Sequence, residues 1–69
     1  MSWSKSVFSS MVSNVAWDNG DLIITWAKNG RRSVYLGVPE DVADQLSRAP
    51  SVGQMMESDI KPNYSHRYL

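Results

Sequence analysis

His66 is the only histidine of the 69-residue chain, and no cysteine accompanies it. Catalysis by imidazole needs a nucleophile, a base and a group to orient them, and these cannot all be nominated. No serine sits in a nucleophile-elbow setting, and neither a phosphate-binding loop nor a metal-ligand spacing occurs. Glu40, Asp41 and Asp44 form the only acidic cluster. Carboxylates at a helix start are accounted for by the helix dipole, whereas an oxygen cage for a cation needs more ligands at loop spacing. The residues therefore predict a non-catalytic chain, with no cofactor and no metal. What remains is binding chemistry.

Two sets of residues are candidates for it. Arg31 and Arg32 are the only adjacent basic pair, and the tail carries Tyr64, His66, Arg67 and Tyr68. Aromatic rings that stack on bases, beside guanidinium groups that meet phosphate, describe a nucleic-acid contact. The formal net charge is zero, which argues against affinity from phosphate neutralisation. The second set is apolar: Ile23, Val34 and Leu36, which suit a protein partner. Which set is usable depends on the elements that carry it.

The central element is Arg31 to Leu46. An extended run ends at Tyr35-Leu36, the chain reverses over Gly37, and Pro39 opens a helix. Proline suits the first helical position because its φ is preset and its missing N–H would be an orphan there. Val42, Ala43, Leu46 and Ala49 then share one helix face. Before it, Met11 to Trp17 and Leu22 to Ala27 read as strands. Asn19-Gly20 and Asn29-Gly30 separate the extended runs, and Asn-Gly between such runs signals a tight hairpin. The expected fold is α+β: a three-stranded antiparallel meander with one main helix packed on one face, a short second helix and an ordered C-terminal tail.

Two-residue turns would fix the register, setting Trp17 opposite Leu22, Val15 opposite Ile24, Trp26 opposite Ser33 and Ile24 opposite Tyr35. One face then carries Val15, Trp17, Leu22, Ile24, Trp26 and Tyr35, and should hold the helix. The other carries Val12, Asn14, Ala16, Ile23, Thr25, Val34 and Leu36. A plain solvent face would be more polar, so Ile23, Val34 and Leu36 are expected to meet a protein.

Residues 1–10 read as a Ser-rich arm, pinned by Trp3, Val7 or Phe8, ahead of one domain over 11–69. Ser51 with Gln54 fits a capping box for the second helix, placed over 52–59. The tail's tyrosines are expected to close over the core. So short a chain without disulfides has a thin margin of stability, which leaves a homo-oligomer open. Absence of cysteine, of an apolar membrane-length run and of a secretory leader's apolar core suggests the cytoplasm and no membrane.

Together these features resemble the KTSC domain, a short bacterial and phage domain named from the C-terminus of certain lysyl-tRNA synthetases. The matching residues are Val12-Ser13-Asn14-Val15, Trp17-Asp18 and Tyr35-Leu36-Gly37-Val38-Pro39. They continue through Val42, Leu46, Ala49, Ser51, Gly53 and Ile60 to Tyr64, Arg67 and Leu69. One departure stands out: the family has two tyrosines flanking a single residue, and the first is Ser33 here. The register sets Ser33 against Trp26, so a larger side chain on one strand can fill the space lost on the other. The resemblance implies a binding module, for which RNA binding has been suggested. Stand-alone copies also look like phage accessory proteins that dock on a host machine such as RNA polymerase. With no net charge, a protein partner is the expectation and RNA the alternative.

Overall fold

The computed structural model describes residues 1–69. Five strands form one antiparallel sheet in sequence order: β1 (Ser2–Ser6), β2 (Val12–Asp18), β3 (Asp21–Trp26), β4 (Arg32–Tyr35) and β5 (His66–Tyr68). Between β4 and β5 run α1 (Glu40–Arg48), α2 (Val52–Met55) and a π-helical turn, Met56–Ile60. All three pack on the same face of the sheet, around Val15, Leu22, Ile24, Tyr35, Leu46, Met56 and Ile60.

The expected meander is the middle of this sheet, and each flank adds a strand. The supposed arm is strand β1, which pairs with β2 from Ser2 opposite Asp18 to Ser6 opposite Asn14. Its Ser-Trp-Ser-Lys-Ser alternation is a period-two pattern hidden by serine composition. Trp3 and Lys5 take the helix side, where Trp3 Nε1 donates to Glu40 at 3.2 Å and Lys5 reaches Asp44 at 3.4 Å. Phe8, beyond the strand, is fully exposed. The tail supplies the other edge, with Val34 opposite Arg67 and Tyr35 opposite His66.

The first hairpin has the expected register, Trp17 opposite Leu22 and Val15 opposite Ile24. Asn19 and Gly20 both take positive φ, at 49° and 97°, as a type I′ turn requires. The second hairpin differs. Of Asn29 and Gly30 only the glycine has positive φ, so the loop is longer, and Trp26 N–H donates to the Arg31 carbonyl at 2.8 Å. Ser33 therefore pairs with Ile24, and Tyr35 with Leu22. The shift is two residues, so every β4 side chain stays on its expected face. Trp26 still meets Ser33 diagonally, its Nε1 donating to the buried hydroxyl at 2.8 Å. Val12 moves to the core, because a bulge between Val12 and Asn14 inverts the alternation there.

Helix α1 starts at Glu40, with Pro39 as the extended residue before it. Ser51 caps α2 by accepting from the Gln54 N–H at 3.3 Å. The second helix then widens: Lys61 N–H donates to the Met56 carbonyl, five residues back, at 2.8 Å. Met56 and Ile60, four residues apart on one face of this segment, are both buried in the core.

Tyr35 and Lys61 are expected to make the fold sensitive to alkali. Burial raises the Tyr35 hydroxyl above the usual tyrosine value, with the Lys61 charge opposing. The hydrogen bond to Glu57 raises Lys61, against some desolvation. In alkali the unfolded chain ionises Tyr35 first, and stability falls. The Lys61 contribution is present below its unfolded value and is lost as pH rises through the folded one. The melting temperature should drop above about pH 10, and less steeply in Tyr35→Phe. Equal slopes in the two proteins would assign the loss to other groups.

Candidate functional site

Formal charge is zero, yet it is sorted by position. Asp18 and Asp21 flank the β2–β3 turn, and the Val38 N–H bond to the Gly20 carbonyl at 2.9 Å brings Glu40 and Asp41 to that same end. Lys28, Arg31 and Arg32 lie in or beside the β3–β4 loop, at the opposite end of β3. There an open groove of about 530 Å³ is lined by Met11, Trp26, Lys28, Arg31, Lys61 and Tyr68, with Ser10 and Asn29.

Each wall of the groove has a local cause. The long β3–β4 loop carries Lys28 and Arg31 past the sheet. Pairing of Tyr68 with Ser33 sets its ring near the same loop, where the Arg31 guanidinium lies 5.5 Å from the ring centroid. The π-helical turn ends at Lys61, whose ammonium sits 5.4 Å from a ring centroid of Trp26. Lys61 also donates to Glu57 at 2.9 Å, whereas Lys28 and Arg31 have no carboxylate within 4.0 Å. Two unpaired cations beside two accessible aromatic rings are an arrangement for an anionic ligand with flat groups.

The candidate nucleic-acid residues divide. Arg31 and Tyr68 line the groove. Arg32 is opposite Thr25 and Arg67 opposite Val34, both on the sheet face away from the helices. His66 is stacked on Tyr35 at 5.0 Å between centroids, and Tyr64 is half-buried against the core. Sequence reasoning missed Trp26, Lys28 and Lys61. Lys28 was legible as the third cation of a five-residue stretch, Lys28 to Arg32, but Lys61 reaches the groove only through the tertiary fold.

Ile23, Val34 and Leu36 share the second face, which no helix covers. Ile23 is half-exposed and Leu36 exposed, but Val34 is 4% exposed between Ile23 and Arg67 of the neighbouring strands. A charge at Val34 would therefore test the fold as well as the surface. Among the acidic residues, Glu40 accepts from Trp3, and Asp44 pairs with Lys5 and Arg48. No group of three His, Cys, Asp or Glu is placed to hold a metal ion.

The sequence profile of the KTSC domain matches residues 8–64. The chain belongs to the KTSC domain family. A crystal structure of a KTSC domain protein from Yersinia pestis superposes with a TM-score of 0.88 at 28% identity, covering 100% of this chain and 99% of that one. No curated protein sequence matches. The profile stops short of β1 and β5, whereas the structural match spans the whole chain. No helix of the chain is long and apolar enough to cross a membrane.

Proposed function

We propose that this KTSC domain is a non-catalytic binding module that takes single-stranded RNA in the groove between Trp26 and Tyr68. The observation that carries the reading is the segregation of charge: Lys28, Arg31 and Lys61 converge on two aromatic rings, away from most of the carboxylates. Zero net charge is then no argument against phosphate contact, because screening confines each charge to within about 10 Å at ordinary ionic strength. Bases stack on the rings, and the cations meet the backbone between them. The suggested RNA binding of the family points the same way.

Labelled single-stranded RNA, titrated at several salt concentrations, tests the reading. Lys28→Ala with Arg31→Ala should weaken binding and flatten the log–log salt dependence by about 0.7 per cation removed. Arg32→Ala, on the other sheet face, should change it less. Absence of binding at low salt, or a double variant that binds like the wild type, would refute the proposal. A second reading rests on the bare five-stranded face, which suits a protein partner such as RNA polymerase docking over Ile23 and Leu36.

A further inference from the structure

The face opposite the helices has a self-complementary layout. Ile23 of β3 and Val34 of β4 stand opposite each other. Asp21 lies two residues before Ile23, and Arg32 two residues before Val34, so all four share this face. Because the strands are antiparallel, those two steps run to opposite ends. Asp21 and Arg32 therefore flank the Ile23–Val34 pair on opposite sides. Neither is paired within the chain, whose ion pairs are Lys5–Asp44, Arg48–Asp44 and Lys61–Glu57.

We propose that this face is the interface of a homodimer, in which Asp21 of each copy meets Arg32 of the other across a centre formed by Ile23 and Leu36, with the buried Val34 beneath. A two-fold axis between the copies, over the midpoint of Ile23 and Val34 and at right angles to the Asp21–Arg32 line, superposes each carboxylate on a guanidinium. The two ion pairs follow from one symmetry operation, as an isologous contact requires. On β1 and β2 this side carries Ser2, Ser4, Ser6, Asn14, Ala16 and Asp18, and at the opposite edge Arg67 stands beside Val34 and must turn outward for two sheets to approach. At the β1 edge nothing bulky keeps two sheets from the usual separation of about 10 Å. Leu36, 39% exposed, extends the apolar centre. The groove of the proposed function lies on the other side of the sheet, so the dimer does not depend on that reading.

Sedimentation from micromolar to millimolar protein tests the interface, with circular dichroism to check that each variant folds. The wild type should show a reversible monomer–dimer equilibrium that weakens with salt. Asp21→Arg alone or Arg32→Asp alone should raise the dissociation constant by about tenfold or more, since each places two like-charge contacts in the dimer. The combined exchange should restore it. If a reversed charge disrupts folding, Asp21→Asn and Arg32→Gln should weaken the dimer and remove its salt dependence. A wild type that stays monomeric throughout would overturn the proposal and return the face to a foreign protein partner. A dimer indifferent to both single substitutions, or not restored by the exchange, would overturn it too.

Discussion

Leu46→Ala is expected to destabilise the domain by about 2–5 kcal/mol. Leu46 is fully buried and is the largest α1 side chain in the core, beside Ala43 from the same helix. Truncation removes its transfer energy and leaves a cavity that the five-stranded sheet cannot close, because its strands are fixed by their pairing on both sides. A 69-residue domain without disulfides has a total stability of only about 3–5 kcal/mol from its core, so the variant should be largely unfolded near room temperature. Urea unfolding of both proteins measures it. An unchanged midpoint would mean that α1 is not the lid of the core.

Deleting Tyr64 to Leu69 is expected to cost about 2–4 kcal/mol with no ligand present, chiefly through newly exposed Tyr35, Val34 and the lost Tyr64 contact. The segment contributes β5, whose His66 stacks on Tyr35 at 5.0 Å, and Ser65 just before it, whose carbonyl accepts from Leu36 N–H at 2.9 Å. Without it, β4 becomes an edge and Tyr35 loses its outer neighbour. Thermal melting of the truncated chain decides the matter. A melting curve equal to that of the full chain, with RNA binding lost, would make β5 a ligand-binding arm instead of a structural strand.

The middle of the fold was legible in the sequence because its signals are local. Asn19-Gly20 specifies a turn geometry that few other pairs adopt, and it set the β2–β3 register residue by residue. Pro39, the two carboxylates after it and the Leu46 stripe marked α1 to within one residue. Ser51 and Gln54 marked the start of α2. The faces of the sheet survived even the misjudged second loop, since a shift of two residues preserves alternation.

Tertiary structure decided the rest, because it depended on partners distant in the chain. Ser2–Ser6 and His66–Tyr68 each alternate like strands, but a short alternating segment becomes a strand only when an edge is free to pair with it. The β2 and β4 edges supplied that condition. Nothing local in the sequence marks the π-helical turn at Met56–Ile60. The groove joins Met11, Trp26, Lys28, Arg31, Lys61 and Tyr68, which no sequence spacing relates. Composition sums the charge to zero; the predicted meander already sends Asp18 and Asp21 to one end and Lys28, Arg31 and Arg32 to the other, and only the tertiary fold adds Lys61 to the basic end.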